Sequence, residues 1–186
     1  KGNGIVLENE VMLLPVYNRF QNSIGVFRSL NLGEDWELFE TKTAEVHLVE
    51  PCIVKMKSGN LTMLSRTNTE FFWYSESNDH GVHWSLPEPT AIPCGNAPAS
   101  LIKSGEHTLV ACNSGKSRTK LVVARLDSFN EKLKNSTFVA MVDQGSLKNI
   151  KQSIHPSGSD NAVTYPSMLD CGKYTTLMAW SKVYDQ

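Results

Sequence analysis

Glu50, Arg66, Arg118 and Tyr165 are the side chains whose types could do chemistry together. A carboxylate can take a proton, a phenol can lose one and attack, and guanidinium forks bind a carboxylate bidentately while staying charged. Strand pairing gives a reason to consider them jointly. If Ser58-Gly59 forms a two-residue turn, Lys57 pairs with Asn60, and Arg66 falls opposite Pro51 with Glu50 beside it at the open end of the hairpin. If Cys171-Gly172 turns a later hairpin, Tyr165 starts that hairpin's first strand at the corresponding end. Each residue also has a plain alternative. Glu50 could be a solvated strand start, Arg66 and Arg118 surface cations, and Tyr165 a packing aromatic. Asn113, after Val110-Ala111-Cys112, reads equally as a structural amide or a polar pocket residue.

The elements that must position these groups are strands. Helical periodicity is nearly absent, and short runs such as Val11–Tyr17, Cys52–Met56, Leu61–Leu64, Phe71–Tyr74, Leu109–Cys112 and Thr175–Trp180 are separated by Gly, Asn, Asp and Ser. That pattern predicts an all-β chain of hairpins rather than βαβ units. The chain also repeats. Ser29-Leu30-Asn31-Leu32-Gly33-Glu34-Asp35-Trp36 returns 48 residues later as Ser77-Asn78-Asp79-His80-Gly81-Val82-His83-Trp84. A further step reaches Arg125-Leu126-Asp127-Ser128, where the Asp survives without the Gly or Trp. In the octet, Ser and Asn or Asp can hold a tight turn through backbone amides, Gly permits positive φ, and Trp covers the turn. A period in the forties with four short strands per unit is that of a propeller blade. The units are expected at about 4–40, 46–90, 97–145 and 163–186, with a polar loop over 146–162, all in one partial domain over 1–186. Trp73 and Tyr74 read as blade core.

Bulk properties exclude several classes. The 186 residues are 40% hydrophobic and 20% charged with net charge −1, so no basic stripe argues for nucleic acid. No apolar run approaches the ~18 residues that span a bilayer. Cys52, Cys94, Cys112 and Cys171 show no C-x-x-C pair, and His47, His80, His83, His107 and His155 lack ligand spacing. No metal and no cofactor is expected. Cys52 and Cys112 sit in apolar runs and read as buried free thiols. The sequons at Asn60 and Asn135 leave the compartment open. The chain opens abruptly at Lys1-Gly2-Asn3-Gly4, as if trimmed from a longer protein.

The octet resembles the Asp-box, or BNR repeat, of the sialidase-like superfamily. There Ser29, Asn31, Gly33 and Trp36, and Ser77, Asp79, Gly81 and Trp84, would mark the fold without touching substrate. The order of the other motifs agrees with that family. Glu50-Pro51-Cys52-Ile53-Val54 precedes a glycine turn and Met63-Leu64-Ser65-Arg66; Arg118-Thr119-Lys120-Leu121 precedes a strand; Tyr165-Pro166-Ser167-Met168-Leu169 opens a later one. The resemblance implies a six-bladed propeller of which this chain holds about 3.5 blades. It implies an exo-sialidase-like glycosidase with Tyr165 as nucleophile, Glu50 as base, and Arg66 and Arg118 as carboxylate clamp, with Asn113 nearby. A neutral phenol suits a sugar whose own carboxylate would repel a carboxylate nucleophile. The family's first arginine and its acid aspartate have no match. Arg19 and Arg28 do not follow the arginine string, and Tyr165 is followed by Pro rather than Ser. The isolated chain is therefore expected to be inactive. A non-catalytic carbohydrate-binding or scaffold propeller is the alternative, and unpaired blade edges could associate.

Overall fold

The computed structural model describes residues 2–43, 45–94, 96–115, 118, 120–126, 138–143, 162–172 and 175–183; of 138–143, 162–164, 182 and 183 the backbone alone is described. The second sequon, the Asp127-Ser128 repeat remnant and all of the 146–162 loop except Ala162 lie outside these residues. Among the described residues, fourteen strands fill four antiparallel sheets in chain order. The first holds β1 (Ile5–Val6), β2 (Met12–Asn18), β3 (Ser23–Ser29) and β4 (Glu37–Lys42). The second holds β5 (Leu48–Lys55), β6 (Leu61–Thr67), β7 (Phe71–Ser77) and β8 (Glu88–Pro93). The third holds β9 (Ser100–Ser104), β10 (His107–Asn113), β11 (Lys120–Leu126) and β12 (Phe138–Asp143). The fourth pairs β13 (Ala162–Asp170) with β14 (Thr176–Val183). Among the described residues there is no helix, and so none long and apolar enough to cross a membrane.

Each middle sheet is covered on both faces, so β6 and β10 are buried along nearly their whole length. Ile53, Leu61, Met63 and Trp73 of the second sheet pack on Leu13, Ile24 and Val26 of the first. From the opposite face, Cys52, Val54, Leu64 and Phe72 pack on Leu101, Val110, Cys112 and Val122 of the third. The third sheet's Leu109, Ala111 and Val123 then receive Met168. Period-two alternation thus sends odd and even residues of one strand into different inter-sheet cores. The Cys52 and Cys112 thiols are free, and burial pushes both up to about 12. Cys94 shares that core, while Cys171 is exposed. The first strands of the sheets converge on a channel of about 690 Å³, across which Asn3 Nδ2 donates to the Met168 carbonyl at 2.8 Å.

The two octets form matching turns between the third and fourth strands of their sheets. Ser29 Oγ accepts from the Gly33 amide at 2.8 Å, and Ser77 Oγ from the Gly81 amide at 3.0 Å. Asn31 Oδ1 accepts from the Asp35 amide at 2.9 Å, as Asp79 Oδ1 does from the His83 amide at 2.9 Å. Each Trp closes its turn by donating Nε1 to the glycine carbonyl, at 2.9 Å for Trp36 and 3.0 Å for Trp84. Gly81, at φ +88°, also abuts the first sheet, where an added Cβ would lie 3.1 Å from Leu13 Cδ2. The turn is therefore both a local fold and part of a joint between sheets.

The hairpin registers differ from the two-residue-turn expectation. Lys55 pairs with Leu61, so residues 56–60 form the turn, and Val49 rather than Pro51 faces Arg66. Likewise Asp170 pairs with Thr176 across a longer turn than Cys171-Gly172. The glycine-based reading placed the turn from one residue's freedom. The backbone bonds Met56 N–Asn60 O and Cys171 N–Thr175 O show wider loops.

The two turns place their carboxylate differently. The second oxygen of Asp79 meets His83 Nδ1 at 2.6 Å, whereas Asn31 Nδ2 donates to Asp35 Oδ2 at 2.9 Å. The His83 amide, helped by the His83 ring and Ser77 hydroxyl and opposed by burial, holds the Asp79 carboxyl well below its ordinary 3.8. A lowered carboxyl stabilises the fold above its unfolded value, and the contribution is lost as pH falls below that value. Because Asn31 fills the same place, Asp79→Asn should fold. Urea unfolding at about pH 6 and about pH 2.5 should show it losing less stability on acidification than the parent. Equal losses would remove Asp79 from the acid response.

Candidate functional site

The first strands that carry Glu50 and Tyr165 begin with the same irregularity. In the β5–β6 pair, Val49 faces Arg66 and Cys52 faces Leu64, so Glu50 and Pro51 together oppose Ser65. In the β13–β14 pair, Thr164 faces Ser181 and Ser167 faces Ala179, so Tyr165 and Pro166 together oppose Trp180. Each is a bulge of two residues against one. Proline suits its second position because it has no N–H to leave unpaired. The first residue takes positive φ, +50° at Glu50 and +55° at Tyr165, which non-glycine residues adopt rarely and at a cost. Asn96, leading into β9, has φ +51°. Two first strands therefore open on a non-glycine residue in the same unusual conformation, at the end away from their hairpin turns, and Asn96 adopts it four residues ahead of a third.

These residues and two arginines form one chain of contacts. Arg66 Nη1 donates to Glu50 Oε2 at 2.6 Å, with both side chains mostly shielded. The remaining edge of the Arg66 fork, Nε and Nη2, donates to Asn96 Oδ1 at 3.1 and 2.7 Å. Arg118 Nη2 donates to the Asn96 backbone carbonyl. The Arg118 guanidinium also stands over the Tyr165 ring, 5.6 Å from its centroid, in cation–π geometry. The four residues singled out from the sequence are thus joined through a fifth, Asn96. Its signal was its position 46 residues after Glu50, one blade period on, just before the strand of the next unit.

Asn113 lies below this rim. It is 1% exposed, and its Nδ2 donates to the Lys120 carbonyl at 3.1 Å. The Ser114 amide bonds the same carbonyl at 3.2 Å, so the pair closes the base of the loop that carries Arg118. Asn113 acts on that loop from within the sheet. None of the five rim residues lines the channel cavity of about 690 Å³, which lies toward the hairpin-turn ends. Arg66 and Asn96 instead line a cleft of about 310 Å³ beside the first sheet. Among the described residues no group of three or more His, Cys, Asp or Glu could hold a metal ion.

Such an arrangement can hold an anion between two guanidinium groups and place a carboxylate and a phenol near it. Its cost is backbone strain, which can be measured at Asn96. Asn96→Gly and Asn96→Ala both remove the acceptor for Arg66, but only Ala retains the positive-φ penalty. Urea unfolding should find the Gly variant more stable than the Ala variant by about 1 kcal/mol, even after glycine's greater unfolded-state freedom is subtracted. The opposite order would show that the conformation at Asn96 is not strained.

The BNR repeat-like domain family matches residues 1–177. Solved structures share the fold at low identity. The NanB sialidase from Streptococcus pneumoniae aligns with a TM-score of 0.73 and 16% identity, over 97% of this chain and 27% of that one. A leech intramolecular trans-sialidase aligns with a TM-score of 0.69 and 17% identity, over 97% of this chain and 28% of that one. A protein of unknown function from Dyadobacter fermentans gives 0.72 and 15%, over 98% and 49%. This chain spans about a quarter to a half of the length of these structures. No curated protein matches it. With the family pattern running through residues 1–177 and four meandering sheets arranged as in the sialidases, the chain belongs to the BNR repeat-like domain family and has the sialidase-like β-propeller fold.

Proposed function

We propose that this chain carries the carboxylate-binding and nucleophile side of a sialidase-type glycoside hydrolase site acting on terminal sialic acid. The observation that carries the reading is the continuous contact from Glu50 through Arg66, Asn96 and Arg118 to Tyr165. In this reading Arg66 and Arg118 clamp the sugar carboxylate, and Asn113 positions Arg118 through its loop. Tyr165 Oη attacks the anomeric carbon while its proton passes to Glu50. The glycosidic bond breaks, and the leaving oxygen takes a proton from an acid outside this set. Water then releases the sugar by the reverse proton path. Arg118 stacked over the ring favours a phenol whose oxygen gains negative charge. The NanB and leech neighbours, a sialidase and a trans-sialidase by name, support this class of substrate.

A second reading has one observation in its favour. Arg66 already holds Glu50 Oε2 at 2.6 Å, so only Oε1 is left for the proton exchange with Tyr165 that turnover requires. A propeller that binds an acidic glycan without turnover needs no such exchange. Two measurements on the intact protein separate the readings. Titration with sialic acid should show Arg118→Ala weakening binding about 10- to 100-fold, the loss of a charge-assisted bond. With an aryl sialoside, whose leaving group needs little protonation, Tyr165→Phe should lower kcat by at least about 100-fold. Unchanged kcat in Tyr165→Phe removes Tyr165 as nucleophile. Binding without turnover by the parent selects the second reading.

A further inference from the structure

Arg66 and Asn96 belong to two places at once. Besides the rim network, they line the cleft of about 310 Å³ that opens toward the first sheet, together with Arg19, His47 and Asn68. That volume, near the lower end of the ~300–1,000 Å³ usual for small-ligand pockets, suits one sugar-sized unit. Its lining contains no Asp or Glu.

The walls are fixed by side chains that spend themselves on backbone. Asn18 Oδ1 accepts from the Phe20 and Gln21 amides at 3.0 and 3.2 Å, shaping the turn that holds Arg19. Asn22, at φ +53°, donates to the Thr43 carbonyl at 2.7 Å and accepts from the Leu48 amide at 2.9 Å, tying that turn to the start of β5. Asn68 Oδ1 accepts from the His47 amide at 3.2 Å and so closes the other side.

What remains unspent is one guanidinium, two amide NH2 groups and an imidazole ring that offers an N–H. The Arg19 guanidinium, the His47 ring and the Nδ2 groups of Asn68 and Asn96 make no hydrogen bond or ion pair among the described residues. All four residues are exposed. Held on fixed backbone with no carboxylate in the lining, these groups create a positive potential next to the proposed clamp. Electrostatics of that sign, continuous through Arg66 with the first site, selects a ligand with a second negative group beyond the terminal carboxylate.

We propose that this cleft is an anion subsite that receives the carboxylate or sulfate of the unit next to the terminal sugar, so that the preferred ligand is an oligosaccharide with two acidic groups. The proposal rests on the reading of the rim as a sialic-acid site. It is tested by calorimetry on the intact protein at low ionic strength with three probes: a monosialyl oligosaccharide, a disialyl one, and the monosialyl one sulfated on its second unit. The parent should bind at least one diacidic probe about tenfold or more tightly than the monosialyl probe, and which one identifies the source of the second charge. Arg19→Ala should abolish that advantage while leaving monosialyl binding unchanged, and Arg19→Lys should keep part of it. Arg19 is exposed and bonded to nothing described, so an unaltered melting temperature is expected for both variants. Equal binding of all three probes, or an advantage that survives Arg19→Ala, overturns the subsite and leaves the terminal site standing. Binding of none overturns both.

Discussion

The structure depends on what happens where an innermost strand begins. A regular strand alternates its side chains between faces, and in this fold both faces are committed to packing against neighbouring sheets. A residue that must serve the rim instead has to leave that alternation. The two-for-one bulge at Glu50-Pro51 and again at Tyr165-Pro166 does so, rotating one side chain out through positive φ and placing a proline where no amide needs a partner. Asn96 reaches the same conformation ahead of β9. Strain of this sort persists only where surrounding contacts over-determine it. Here they are the inter-sheet cores below and the Glu50–Arg66–Asn96 bonds above.

A second device works away from that rim. The octet turns join third to fourth strands and are held by Ser, Asn or Asp, Gly and Trp, mainly through bonds to their own backbone. Because the turn is largely self-contained, its third and seventh residues can change in concert: an amide donating to a carboxylate in one copy, a carboxylate meeting an imidazole in the other. The same independence makes the motif a marker of fold and uninformative about chemistry. The second copy also carries a wider constraint, since Gly81 lies against Leu13 and Val26 of the preceding sheet.

These two devices explain what could be read from the residues. The octets, 48 residues apart, expose the repeat because a backbone-satisfying turn needs particular side chains at each step. The burial of Cys52 and Cys112 follows from the apolar runs around them. The register of the β5–β6 hairpin was not legible, because a bulge is a relation between two strands, and because Gly59 marks positive φ within a five-residue turn as readily as within a shorter one. Asn96 escaped notice because an amide joined to an arginine has no sequence motif of its own; only the blade period points to it. The cleft around Arg19 was equally hidden, since its character comes from which neighbours are already occupied. Arg19 itself follows no arginine motif that would single it out.

The central claim is that the strand starts and the Arg118 loop present one continuous surface to one acidic ligand. Nuclear magnetic resonance of the intact protein, following the Arg66 and Arg118 Nε–H signals and the Tyr165 ring during titration with sialic acid, tests it most directly. All three sets are expected to shift together and saturate along one binding curve. Arginine signals that respond while the Tyr165 ring stays fixed, or curves that saturate at different concentrations, would contradict it.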